Sequence, residues 1–117
     1  MRILIIGAGV TGSIYASFLI NSKKILEKKL KEPFDIKILA RGETYKRIRS
    51  NGLKINHYLQ KIITIDNIPV IKTLEANDKY DYILIFLRKT QMKDLIPEIE
   101  SNSSHNFVFI GNNGTGA

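Results

Sequence analysis

The sequence predicts an α/β domain in which a mostly parallel, doubly wound sheet carries helices on both faces. Two observations predict it. Apolar, β-branched runs bounded by turn residues alternate along the chain with segments of helical spacing, which is the order of βαβ units. The first such run also passes directly into a glycine cluster that opens a helix. With 117 residues, 44% of them hydrophobic and 25% charged, the chain has the length and composition of one packed domain with one core. Disorder and fibrous repeats are excluded on the same grounds.

Arg2 to Ile6 (Arg-Ile-Leu-Ile-Ile) is a continuous apolar run, the pattern of a strand covered on both faces. It leads into Gly7-Ala8-Gly9-Val10-Thr11-Gly12, after which Ile14, Phe18, Leu19, Ile25, Leu26 and Leu30 recur at helical spacing until Pro33. Asp35 to Ala40 reads as the second parallel strand, completing a βαβ unit. Glu43 to Ser50 has helical composition and stops at Asn51-Gly52, a pair that favours left-handed backbone. Leu53 to Tyr58, Lys61 to Asp66 and Pro69 to Ile71 then predict a third strand with a small hairpin beside it. Tyr80 to Leu87 is another buried-strand run, followed by a helix over about Thr90 to Glu100 and a last strand over Asn106 to Ile110. The chain closes on Gly111 to Ala117, a glycine-rich loop of the kind that ordinarily leads into a further helix, so a fragment of a longer protein is expected.

The chain has no cysteine, which removes disulfides, thiolate zinc sites and thiol nucleophiles and is compatible with a reducing cytoplasm. His57 and His105 stand far apart and begin no metal-ligand spacing, so no metal is expected. The short apolar start is neither a signal peptide nor a membrane span, which needs about 18 apolar residues. Eighteen basic against eleven acidic residues give a net charge of +7, consistent with an anionic ligand or with a surface that is simply lysine-rich.

Gly7, Gly9 and Gly12 form GxGxxG, and their setting between a buried strand and a helix gives each glycine its own task. Gly7 permits the tight turn. Gly9 lets a pyrophosphate approach backbone N–H groups at the helix N-terminus, and Gly12 allows close packing of helix on strand. This is the fingerprint of a Rossmann-type dinucleotide-binding domain. At the end of the second strand, where a carboxylate would select the ribose of NAD, stands Arg41, with Lys46 and Arg47 nearby, which favours the 2′-phosphate of NADPH. Arg41 lies 29 residues past Gly12, against about 20 in the usual fingerprint. A first helix overhanging the sheet by about two turns would absorb the difference.

Taken in order, GAGVTGS (from Gly7), LARG (from Leu39), SNGLKI (from Ser50), ILIFLRKTQ (from Ile83) and GNNGTG (from Gly111) make the chain resemble, over essentially its whole length, the N-terminal domain of the ketopantoate reductase (2-dehydropantoate 2-reductase) family. The resemblance implies a cytoplasmic enzyme that uses NADPH to reduce 2-dehydropantoate to pantoate, a step toward pantothenate and coenzyme A. It implies that residues Gly7, Ala8, Gly9, Val10, Thr11 and Gly12 hold the pyrophosphate and that Arg41 pairs with the 2′-phosphate. Arg88 and Gln91 stand where the family usually has Lys and Gln near the cofactor. Asn113 matches an Asn between nicotinamide and substrate, able to donate to one and accept from the other.

The general acid and the substrate-holding groups of the family lie in a second, helical domain, so residues 1–117 correspond to the NADP-binding domain and none of them is expected to be catalytic. Hydride transfer needs nicotinamide and ketone in near-attack geometry and a proton donor for the alkoxide, half of which lies elsewhere. The partner is therefore a small keto acid in the full-length protein. A domain truncated before that helical part would expose apolar surface, which predicts self-association. Two alternatives share the glycine turn: a nucleotide-sensing regulatory module without catalysis, which more often carries an acidic residue at the position of Arg41, and the cofactor domain of an opine or 3-hydroxy acid dehydrogenase. Nucleic acid is the least favoured ligand, because the basic residues are scattered and form no recognition motif.

Overall fold

Five strands build the main sheet of the computed structural model, which describes residues 1–7, 10–57, 62–87, 93, 95–104 and 106–110. In chain order the elements are β1 (Arg2–Ile6), α1 (Val10–Asn21), α2 (Lys23–Leu30), β2 (Asp35–Leu39), α3 (Gly42–Asn51), β3 (Leu53–His57), β4 (Ile62–Asp66), β5 (Val70–Ile71), β6 (Tyr82–Ile85), α4 (Ile96–Ser101) and β7 (Phe107–Phe109). The sheet order is β5-β2-β1-β6-β7, and every pairing within it is parallel. β3 and β4 form a separate antiparallel hairpin. This is the doubly wound, Rossmann-like arrangement that the alternation of strands and helices predicts.

β1 lies in the middle because its side chains are apolar on both faces. Ile3 and Ile5 join Ala16 of α1, Ile36, Ile38, Ile48 of α3 and the hairpin residues Leu53 and Ile55 in one buried cluster. Leu4 and Ile6 point the other way, into a cluster with Leu39, Leu74, Tyr80, Ile83, Ile85 and Leu95. Alternation along a central strand thus divides the core into two layers, with α1 over one and the segment entering α4 over the other.

The long first helix expected from the spacing of apolar residues is instead two. α1 ends at Asn21, Ser22 forms a turn, and α2 ends at Leu30 with Lys31 in the left-handed region (φ 57°), before Pro33 is reached. The apolar period continues across the break, so it conceals the turn. The extra residues between Gly12 and Arg41 are therefore housed in α2 and its exit. The face of α1 also differs from what its large apolar residues suggest. Gly12, Ser13 and Ala16 are buried, whereas Ile14, Phe18 and, on α2, Ile25 are exposed. Close contact between helix and sheet requires small residues at the seam.

At the opposite end of the sheet from the glycine turn, Arg2 ties strand β1 to the segment before β6. Its guanidinium donates to the Lys79 carbonyl (2.6 Å) and to Asp78 Oδ1 (2.9 Å), and its backbone N–H donates to Asp81 Oδ2 (2.7 Å). The hairpin is fastened to α1 through Asp66, which accepts from Ser17 Oγ at 2.6 Å and from Asn21 Nδ2 at 3.1 Å. Gly52 enters the hairpin at φ 81°, and a side chain there would press on the Asp66 carbonyl.

Candidate functional site

The turn after β1 is built on two close approaches. Gly7 has φ 97°, a region that L-residues rarely adopt, and a Cβ on it would stand 2.7 Å from the Phe86 carbonyl oxygen and 3.0 Å from Leu87 Cδ2. A Cβ on Gly12 would overlap the Gly7 carbonyl oxygen and come within 3.4 Å of the Phe86 ring. The first turn of α1, which contains Val10, Thr11 and Gly12, is thereby drawn against the end of β1 and the start of the loop after β6. Tyr15, one turn further along α1, meets the Phe86 ring with centroids 5.3 Å apart.

Arg41 occupies the corresponding place on the neighbouring strand. β1 and β2 pair in parallel with Ile6 opposite Leu39, so Gly7 and Ala40 leave the sheet side by side and Arg41 follows immediately, preceding α3. The glycine turn and Arg41 thus share the carboxyl edge of adjacent strands, the edge at which doubly wound sheets take their ligands. The side chain of Arg41 is about half exposed (47%) and forms an ion pair with Glu98 of α4, whose own side chain is 20% exposed. The other carboxylate oxygen of Glu98 accepts the Leu74 N–H at 3.0 Å. Sequence reading missed Glu98 altogether, because nothing in its local pattern connects it to a residue 57 positions earlier. Lys46 reaches Glu43 at 3.9 Å, both widely exposed, which makes it a weak second cation for the site. Lys72, just after β5, lies 5.8 Å from the centre of the Tyr45 ring of α3.

Of the residues expected at the site, Gly7, Val10, Thr11, Gly12 and Arg41 are brought to one edge of the sheet. Ala8, Gly9, Arg88, Gln91 and Asn113 lie outside the described residues. Among the described residues no three His, Asp or Glu side chains gather as a metal site would require, and no helix is long and apolar enough to cross a membrane.

Residues 3–117 match the model of the family described as ketopantoate reductase PanE/ApbA. The chain belongs to this family of oxidoreductases. No curated protein sequence matches it. Among solved structures, the 2-dehydropantoate 2-reductase from Methylococcus capsulatus superposes with a TM-score of 0.69 at 19% identity, over 96% of this chain and 34% of that one. A D-mandelate dehydrogenase, solved as a ternary complex with NADH and anilino(oxo)acetate, gives 0.70 at 21% identity over 97% and 36%. The 2-dehydropantoate 2-reductase from Porphyromonas gingivalis W83 gives 0.64 at 20% identity over 95% and 37%. At such identities these likenesses establish the fold. This ketopantoate reductase-family chain spans about a third of the length of those proteins.

Proposed function

We propose that residues 1–117 are the NADPH-binding domain of a ketopantoate reductase-like oxidoreductase that, as a longer protein, reduces 2-dehydropantoate to pantoate. The observation that carries this reading is the pairing of Gly7 and Gly12 at the end of β1 with Arg41 at the end of adjacent β2. A Cβ on Gly7 would strike the Phe86 carbonyl and one on Gly12 the Gly7 carbonyl, so the two glycines let the start of α1 pack against the end of β1, where a pyrophosphate would meet the helix N-terminus. Arg41 supplies a guanidinium for the phosphate that distinguishes NADPH from NADH. Gly7, Ala8, Gly9, Val10, Thr11 and Gly12 would hold the pyrophosphate, Arg88 and Gln91 would line the cofactor, and Asn113 would stand between nicotinamide and keto acid.

The cofactor, when bound, supplies the hydride for the ketone carbon. This chain's part is to bind and orient. The proton for the developing alkoxide comes from the remainder of the longer protein, and the fragment alone is expected to be inactive. Family membership favours a cytoplasmic enzyme acting on a small keto acid.

The test is a paired fluorescence titration with NADPH and NADH, repeated with Arg41→Ala. The reading expects tighter binding of NADPH and a loss of roughly tenfold or more of that preference in the variant. A preference that survives the substitution overturns the assignment of Arg41. A second reading, a reductase of a different 2-keto acid that works with NADH, is favoured by the likeness to the D-mandelate dehydrogenase fold, and equal binding of the two cofactors would support it.

A further inference from the structure

We infer that Glu98 is a specificity-determining residue, an internal counter-ion that competes with the cofactor's 2′-phosphate for Arg41 and so limits the preference for NADPH over NADH. This rests on the reading of Arg41 as the partner of that phosphate.

Three observations carry it. Arg41 is already engaged: one terminal nitrogen of its guanidinium is in contact with Glu98. The competing carboxylate is anchored, because its second oxygen takes the Leu74 N–H of the loop after β5 and its side chain is largely covered. A fixed carboxylate holds its charge beside the guanidinium without the entropy cost of two free side chains. The third observation is position. α1, whose N-terminus the pyrophosphate would meet, covers the sheet face lined by Ile3, Ile5 and Ile38, while the segment entering α4 covers the face lined by Leu4, Ile6 and Leu39. The ion pair therefore draws the Arg41 side chain toward the face away from α1. An incoming 2′-phosphate must take the guanidinium from Glu98 or share it while lying close to a like charge, and either costs affinity. A cofactor with a 2′-hydroxyl meets neither cost.

Glu98→Gln keeps an oxygen for the Leu74 N–H and removes the charge. Titrated with NADPH and NADH, this variant should bind NADPH roughly three- to tenfold more tightly and NADH within about twofold of the unaltered chain. 2′,5′-ADP against 5′-AMP, which differ only in the 2′-phosphate, should show the same split without the nicotinamide. Glu98→Ala, which loses the Leu74 contact as well, should shift the ratio in the same direction and covers the case in which the glutamine variant folds poorly. In an Arg41→Ala background the effect of Glu98→Gln should vanish. An unchanged or reduced NADPH-to-NADH ratio in both Glu98 variants, binding of neither cofactor included, overturns the inference. If Glu98→Gln raises the ratio even without Arg41, Glu98 repels the phosphate directly and the competition is refuted. A preference for NADPH that survives Arg41→Ala with Glu98 intact refutes instead the underlying assignment of Arg41, so the two failures are distinguishable.

Discussion

Gly7 lies against Phe86 so closely that a methyl group on its α-carbon would stand 2.7 Å from the Phe86 carbonyl oxygen, well inside van der Waals contact. The same glycine holds φ at 97°, so two independent costs meet at one position. Backbone strain of a side-chain-bearing residue there costs about 1–3 kcal/mol, and overpacking against a carbonyl adds a similar amount. Gly7→Ala is therefore expected to lower stability by about 3 kcal/mol in denaturant titration. A change under about 0.5 kcal/mol, the level of an ordinary surface substitution, would show that the turn is looser than described.

The seam between α1 and the sheet makes a second expectation. Ala16 is fully buried beneath the helix, whereas Phe18, two residues on, is 66% exposed. Ala16→Leu should overpack the seam and destabilise by about 1–3 kcal/mol, while Phe18→Ser should change stability by no more than about 0.5 kcal/mol. Thermal unfolding of the two variants side by side checks both. The reverse ranking would mean that α1 is turned to present its large residues to the core.

Much of the architecture was legible because it rests on local signals. Strands β1, β2, β6 and β7 each fall inside an apolar run, and the hairpin and β5 fall inside the three shorter runs between Leu53 and Ile71. Where the reading failed, the deciding information was not local. The division of the first helix at Ser22 leaves the apolar period uninterrupted, so it is invisible to periodicity. The orientation of α1 is set by which residues are small enough to meet a β-sheet at close range. The helix expected over about Thr90 to Glu100 is described from Ile96 to Ser101, and residues 90–92 and 94 of that expectation lie outside the described residues. At the site, the glycines and Arg41 announce themselves by position, but the partner of Arg41 lies 57 residues away on a different sheet face and could be found only after folding.

Asp66 joins the hairpin to the first helix, accepting from both Ser17 and Asn21. Replacing it with Ala takes the acceptor from Ser17 Oγ, a change worth about 1–3 kcal/mol where the donor remains shielded from water, whereas Asn21 Nδ2 keeps the Ser17 carbonyl at 2.8 Å. Because Ser17 is only half-buried and Asn21 is exposed, the lower end of that range is expected. The effect should be local: faster amide exchange in Leu53–His57 and Ile62–Asp66, with exchange in β1 and β2 little altered. Equal acceleration across the main sheet would show instead that the hairpin is required for the whole fold.

The cluster around Arg2 predicts how stability depends on pH. The guanidinium lies over the Tyr80 ring, its Cζ 4.4 Å from the centroid, and Tyr80 Oη donates to Asp78 Oδ2 at 2.7 Å. Burial pushes the Asp78 carboxyl up, but the hydrogen bond from Tyr80 and the hydrogen bond and charge of Arg2 outweigh it and hold the group below its ordinary 3.8. For Tyr80, burial first and then the hydrogen bond to Asp78 raise the phenol above its ordinary 10.0, with Arg2 opposing. The signs follow from which state binds protons more readily. The depressed carboxyl gives stability that is present above pH 3.8 and is lost as the pH falls through the folded-state value; the raised phenol gives stability that is present below pH 10.0 and is lost as the pH rises beyond it. Tyr80→Phe keeps the ring beneath Arg2 and removes the ionisable hydroxyl, so its melting temperature should fall less steeply than that of the unaltered chain above pH 10. Asp78→Asn should flatten the acid limb and lower the plateau between, since Arg2 then loses its charged partner. Parallel alkaline limbs for Tyr80→Phe and the unaltered chain would show that the phenol does not couple to folding and that other groups set the alkaline limb.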